Sequence, residues 1–365
     1  MTNEQILSAL SHVIDPDLNK DLVSLGMIEN IEIEGNKVSF KLVLTTPACP
    51  LKDSLKNSCI KAIQSRVDPY AEVEVEVTSR TTSRRENNTD MLKGVKNIIA
   101  VVSGKGGVGK STVAANLAVS LGKMGAKVGL LDADIYGPSV PVMFNLHDAR
   151  PGAHDDNGKT ILEPVTQYGI KILSIGFFVD PDKALIWRGP MASGYLQQML
   201  TGGDWGELDY LVIDMPPGTG DIHLTLVQSV PVTGIAIVTT PQEVALADAR
   251  KAFGMFTTDN IKVPVLGIIE NMAWFTPAEL PENKYFIFGK EGGKKYAEQV
   301  GVPLLGQIPL VQSICEAGDS GSPVALDDSS PVAAAFNELA ETIVRQISVR
   351  NAEMAPTQIV EIKTN

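Results

Sequence analysis

The chain has 365 residues, 44% of them hydrophobic and 20% charged, a composition that buries a sizeable core and argues against disorder. Its formal charge of −12 excludes general attraction to nucleic acid or anionic lipid, because such binding draws on a surplus of Lys and Arg. No apolar run approaches the ~20 residues of a membrane span, and MTNEQILSAL lacks the basic start and apolar stretch of a signal peptide, so the expectation is a cytoplasmic protein.

The first segment predicts a helix from about Glu4 to Ile14, stopped at Asp15-Pro16, then a hairpin of alternating strands, Ile28–Glu34 and Lys37–Leu44, around Gly35-Asn36. A helical pattern with Leu51, Leu55, Cys59 and Ile60, followed by the alternating strand Ala71–Val77, completes a small α+β domain over residues 1–78. The stretch SRTTSRRENNTD carries no apolar side chain, so residues 79–92 are expected to be a linker. Short apolar runs then alternate with helical patterns: Ile98–Val102, Val128–Leu131, Ile170–Ile175, Tyr210–Ile213, Gly234–Val238, Val263–Ile269 and Leu304–Ile308. Runs apolar on both faces and separated by helices are what a parallel sheet covered on both sides requires. Residues 93–348 are therefore expected to form a doubly wound, mostly parallel α/β domain, and residues 349–365, interrupted by Pro356, a loosely attached tail.

Gly104-x4-Gly109-Lys110-Ser111 follows the strand Ile98–Val102 and opens a helical pattern with Val113, Leu117 and Leu121. Glycines in that setting let backbone N–H groups curl around phosphate oxygens, and the helix N-terminus adds positive potential. Lys110 would neutralise the β and γ phosphates, and the Ser111 hydroxyl would ligate Mg²⁺. The same residues also satisfy the dinucleotide fingerprint Gly104-x-Gly106-x-x-Gly109, with Asp132 as a ribose carboxylate. Lys110-Ser111 and the apolar strand Leu211-Val212-Ile213 ending in Asp214, as a Walker B carboxylate does, favour the nucleoside triphosphate.

Lys105 is not demanded by an ordinary phosphate loop. The run Lys105-Gly106-Gly107-Val108-Gly109-Lys110-Ser111-Thr112 resembles the deviant Walker A motif of the MinD/ParA-like ATPases. That resemblance implies ATP sandwiched in a homodimer, with Lys105 reaching the phosphates of the facing subunit. Asp132-Ala133-Asp134-Ile135-Tyr136-Gly137-Pro138-Ser139 and Asp214-Met215-Pro216-Pro217-Gly218-Thr219-Gly220-Asp221 resemble the switch segments of the Mrp/ApbC branch, as do Glu270-Asn271-Met272, Phe288-Gly289 and Gly306-Gln307-Ile308-Pro309. By that resemblance Asp134 orients the attacking water and Asp214 holds Mg²⁺ through water. Asn271 has an amide able to donate and accept at an adenine edge, and it also fits a structural cap. The first domain is similar to the PaaD/SufT-like module, on Asp15-Pro16 and Thr45-Thr46-Pro47-Ala48-Cys49-Pro50.

The resemblance implies ATP hydrolysis in iron-sulfur cluster binding, delivery or assembly, with client or assembly proteins as partners. The branch usually carries a CxxC between the segments matching Asn271-Met272 and Phe288-Gly289, whereas here the interval reads AWFTPAELPENKYFI. Clusters need thiolates, so that ligand pair has no counterpart in this chain. Of the three cysteines, Cys49 is a candidate cluster ligand or a small buried hydrophobe, Cys59 is in phase with the core, and Cys315 is expected to pack a helix. A nucleotide-gated scaffold without its own cluster is the alternative reading.

Overall fold

The computed structural model describes residues 1–86, 92–156, 158–179 and 189–361. One unit comprises Met1–Thr82 with Val344–Met354, and a larger one Ser83–Ile343 with Ala355–Asn365.

In the first unit, helix α1 (Asn3–Leu10) is opened by a reciprocal cap: the Gln5 amide donates to the Thr2 hydroxyl while the Thr2 amide donates to Gln5 Oε1. It stops short of Ile14 because the chain turns into two short strands, β1 (Ile14–Asp15) and β2 (Lys20–Asp21). Strands β3 (Ile28–Glu34) and β4 (Lys37–Leu44) pair antiparallel, α2 (Lys52–Arg66) crosses over, and β5 (Glu72–Ser79) lies parallel to β4. Alternation along β4 turns Val38, Phe40 and Leu42 into the core that also takes Leu55, Cys59 and Ile63 from α2. The end of the C-terminal helix belongs to this unit, with Arg345 Nε 2.8 Å from Asp17 Oδ1 and the Asn351 amide donating to the Thr82 carbonyl. The boundary expected at 348 thus falls inside a helix. Past it the helix buries Arg350 and Asn351, which a hydrophobic pattern does not register.

The larger unit runs β6 (Val95–Val102), α3 (Lys110–Lys123), β7 (Val128–Asp132), α4 (Val140–Met143), a hairpin of β8 (Gly152–Asp156) and β9 (Lys159–Glu163), β10 (Val165–Gln167) and β11 (Ile170–Ser174). It continues with α5 (Gly189–Gly202), β12 (Leu208–Asp214), α6 (Asp221–Ser229), β13 (Gly234–Thr239), α7 (Glu243–Thr257), β14 (Val265–Phe275), α8 (Gly292–Val300), β15 (Leu304–Leu310), α9 (Gln312–Asp319) and α10 (Pro331–Glu353). Eight strands form one sheet in the order β10-β11-β7-β12-β6-β13-β14-β15, parallel except for β10. Ile98 through Val102 of the central strand are all fully buried, the consequence of helices on both faces. The strand crossing order reverses beside β6, so ligands are expected at its carboxyl end.

Residues 87–91 of the expected linker and 362–365 of the expected tail lie outside the described residues. The described parts of both are hydrogen-bonded. The Thr357 amide donates to the Arg84 carbonyl at 2.8 Å, Glu86 donates to Thr357 at 3.0 Å, and Val360 donates to Val227 at 2.9 Å. Arg85 is half-buried with its Nε donating to the Pro231 carbonyl, and desolvation pushes its guanidinium down to about 10. A chain without apolar side chains is held here by its backbone, a contribution that composition does not show. Among the described residues no helix is long and apolar enough to cross a membrane.

Candidate nucleotide site

Strand β6 delivers the chain to the carboxyl edge of the sheet, where Gly104 to Gly109 turn it into α3. Two of the glycines are geometrically required. A Cβ on Gly104 would strike the Asp248 carbonyl, and Gly109 sits at φ +80° as the N-cap of α3, with Asn271 Nδ2 where its Cβ would stand. The first turn of an α-helix leaves backbone amides without intrahelical acceptors, so a glycine loop entering α3 makes a cradle suited to phosphate.

Lys110, only 5% exposed, reaches back from the first turn of α3 to the neighbouring strand ends. Its Nζ lies 2.5 Å from Asp214 Oδ1 and 3.7 Å from Asp134 Oδ2, and donates to the Ser111 hydroxyl at 3.3 Å. Parallel register places Asp214 of β12 opposite Asp132 of β7, and Asp134 follows two residues on. Three carboxylates and one ammonium therefore share one sheet edge. Burial, opposed by Lys110, raises the Asp134 carboxyl above its usual range. Asp132 is raised by burial and then by the Asp214 charge.

Asp132 has a structural occupation. Its Oδ2 accepts from the Ser174 hydroxyl at 2.9 Å and the Val140 amide at 3.2 Å, and its Oδ1 from the Asp134 amide at 3.2 Å. It thereby fixes the segment that carries Asp134. Asp214 Oδ2, by contrast, is buried without a partner among the described residues. A buried carboxylate oxygen with a free lone pair, close to a serine hydroxyl that follows the loop lysine, fits a site for a hydrated Mg²⁺.

Asn271 is buried within β14 and donates from Nδ2 to the Val108 carbonyl at 2.8 Å, so one arm of its amide braces the phosphate loop. It also lines a cleft of about 570 Å³ together with Thr112, Pro309, Leu310 and Ile314. Lys105 is exposed, and among the described residues its ammonium has no carboxylate partner. It borders a smaller recess with Gly106, Gly107, Gln242 and Phe288.

One residue beside this site was not singled out from the sequence. Glu270 is a fully buried carboxylate whose Oε2 accepts from the Gly293 and Lys294 amides at the start of α8, while Oε1 accepts from Gln307 Nε2 at 2.8 Å. It clamps both ends of the segment between Asn271 and α8. The signal in the sequence is a charged residue directly after the apolar run Leu266–Ile269, although β14 continues past it.

The cysteines are dispersed. Cys59 is core, its thiol pushed up to about 12 by burial. Cys49 is half-buried and also raised, chiefly by burial. Cys315, expected to pack a helix, is instead exposed on α9, which buries none of its residues, and it lines the cleft with its Sγ 3.7 Å from Asp319. Its helix lies over the cleft rather than over the core. Among the described residues no group of three or more His, Cys, Asp or Glu is placed to hold a metal ion.

A family model described as ParA, NUBPL iron-transfer P-loop NTPase, matches residues 94–344, and one described as iron-sulfur cluster assembly protein matches residues 3–77. The chain belongs to the ParA/NUBPL family of P-loop NTPases. Within that setting it is 48% identical over 351 residues to an iron-sulfur cluster carrier protein of Synechocystis sp., covering 96% of this chain and 99% of that one. It is 46% identical over 358 residues to a protein of the same description from Deinococcus radiodurans, covering 98% and 99%. A nucleotide-binding protein of Archaeoglobus fulgidus, solved in complex with ADP, matches at TM-score 0.57 and 38% identity over 67% of this chain and 92% of its own.

Proposed function

We propose that this NTPase-family chain binds Mg-ATP on Gly104, Lys105, Gly106, Gly107, Val108, Gly109, Lys110, Ser111 and Thr112, hydrolyses it, and uses the cycle in binding, delivering or assembling iron-sulfur clusters. The observation that carries the ATP part is the buried Lys110 ammonium held between Asp214 and Asp134 at the foot of a glycine cradle. A lysine so placed transfers to the phosphates of an incoming nucleotide, which frees both carboxylates. Asp134 then accepts a proton from, and orients, the attacking water. Ser111 and, through water, Asp214 would hold Mg²⁺, which supplies neutralisation of the phosphate oxygens. The cleft beyond Asn271 takes the nucleoside, with the second amide donor of Asn271 directed to the base. Lys105, exposed and without a partner carboxylate, acts across a homodimer on the phosphates of the other copy.

The names of the relatives support the cluster part, and ADP in the Archaeoglobus protein supports the nucleotide part. Three cysteines cannot supply the four thiolates of a [4Fe-4S] cluster, so the cluster is cargo shared between two copies or with a partner, with Cys49 as the candidate ligand. The cysteine-free interval from Ala273 to Ile287 favours a second reading, a nucleotide-gated scaffold for client proteins. Anaerobic reconstitution with iron and sulfide, followed by transfer to an apo-ferredoxin with and without Mg-ATP, separates them. ATP-dependent transfer supports the carrier. Phosphate release with no retained sulfide supports the scaffold, and neither phosphate release nor ATP binding overturns both.

A further inference from the structure

Helix α6 starts at Asp221, directly after the loop Met215–Gly220 that follows Asp214. Its third residue, His223, is 1% exposed, with its ring 6.2 Å from that of Phe256 in α7. Among the described residues neither ring nitrogen has a hydrogen-bond partner. A neutral imidazole carries one N–H donor and one acceptor, so this burial strands both, a cost that a leucine of similar volume would not carry. Burial holds the ring neutral, pushing its pKa down to about 4, against the opposing pull of the Gly220 and Pro216 carbonyls. Those carbonyls bias the ring without meeting hydrogen-bond geometry, and they belong to the loop that ends in Gly220.

The loop is tied to the phosphate cradle. The Met215 amide donates to the Val101 carbonyl at 3.1 Å and the Gly218 amide to the Ser103 carbonyl at 2.8 Å, while the Ser103 hydroxyl donates to the Lys105 carbonyl at 3.0 Å. A shift of the cradle on phosphate binding is therefore passed through Ser103 and Gly218 to the carbonyls beside His223. A polar ring that is unsatisfied in one arrangement of the loop is useful only where a second arrangement satisfies it.

Resting on the ATP reading above, we infer that His223 is a positioning residue: its ring N–H donates to a carbonyl of the Pro216–Gly220 loop in the nucleotide-engaged arrangement, coupling that loop and Asp214 to α6. The chain has four histidines, so the His223 imidazole ¹⁵N–H signal can be assigned by its loss in His223→Gln. Adding Mg²⁺ with a non-hydrolysable ATP analogue to the wild-type chain should move that signal downfield and slow its exchange. His223→Leu should raise Tm yet lower kcat about tenfold at unchanged KM for ATP, and His223→Gln, which keeps an N–H donor, should return kcat to within about threefold of wild type. An imidazole signal unchanged in wild-type protein that calorimetry shows to be saturated with nucleotide overturns the inference, whether or not the leucine variant folds. So does a folded His223→Leu with wild-type kcat. A wild-type chain that binds no nucleotide fails at the earlier step and removes the ATP reading itself.

Discussion

Replacing Lys110 by methionine keeps the aliphatic stem and removes, among the described residues, the one cation buried among Asp214, Asp134 and Asp132. At an effective dielectric of about 20, attraction across the observed 2.5 Å to Asp214 is roughly 7 kcal/mol and across 3.7 Å to Asp134 roughly 4 kcal/mol. Desolvation of the three groups offsets most of this, so the pair adds little net stability relative to an apolar replacement. Removing one partner is different. Asp214 is 0% exposed, and without Lys110 its charge is buried uncompensated, a situation that costs about 3–5 kcal/mol.

The nucleotide-free Lys110→Met chain should lose that amount in urea unfolding. The measurement should follow tryptophan fluorescence, since all three tryptophans fall in the sequence of the larger unit. Lys110→Met combined with Asp214→Asn should recover at least about half of the loss, because the stranded charge is gone, while ATP binding stays absent in both. A single variant within about 1 kcal/mol of wild type, or a double variant no better than the single, would refute the argument that Lys110 compensates the sheet-edge carboxylates.

Lys105→Ala should bind ATP nearly as wild type but turn it over about 10³-fold more slowly, as loss of an arginine finger does, and mixing with Lys110→Ala should restore part of the rate through one intact composite site. Inactive mixed heterodimers would exclude action across the dimer. Asp132, raised by burial and by Asp214, retains in the folded chain a proton that the unfolded chain releases above its ordinary 3.8, so its contribution is full below that value and lost as pH rises through the raised one. The stability of wild type relative to Asp132→Asn should therefore decline from about pH 4 to about pH 8, and a flat difference would contradict the assignment. Glu270→Ala should leave the Gly293, Lys294 and Gln307 donors without their acceptor, costing about 1–3 kcal/mol for each that water cannot reach, visible as faster hydrogen exchange at Lys294. Cys315, raised by the Asp319 charge, should be alkylated slowly at neutral pH, faster in Asp319→Asn, and hardly at all under saturating Mg-ATP; labelling mapped by mass spectrometry and indifferent to nucleotide would remove the cleft from the nucleotide site.

Much of this was legible because apolar periodicity and glycine spacing are local. All seven strands proposed for the sheet occur in it, and the hairpin around Gly35-Asn36 keeps its expected ends. What was not legible depended on burial of polar groups. Arg85 lies in a stretch without one apolar residue, yet it is half-buried with its Nε on a backbone carbonyl, and the buried Arg350 and Asn351 extend a helix past an expected boundary. The β8–β9 hairpin was missed because Gly152–Asp156 is exposed throughout and carries no alternation. Glu270 and Asp132 pose one problem in sequence: an acidic residue next to an apolar run looks identical whether it faces a ligand or a set of backbone amides.

That ambiguity resolves once each carboxylate's lone pairs are accounted for. Asp132 and Glu270 are saturated by donors from their own chain, so they hold loops in place. Among the described residues Asp214 has one oxygen on Lys110 and the other without a partner, while Asp134 faces Lys110 at 3.7 Å and is held by the Tyr136 and Gly137 backbone. Asp214 and Asp134 are thus the two carboxylates in reach of Lys110, and on the proposed reading they are the two whose environment changes when Lys110 turns to a phosphate. On that account the lysine does two jobs with one charge. Without nucleotide it makes three buried aspartates at one sheet edge tolerable, and on the proposed reading its departure to the phosphates would leave Asp214 and Asp134 as the unneutralised groups nearest them. A cation and a water are what such a pair can then bind, so the ligand itself completes the electrostatics of the site.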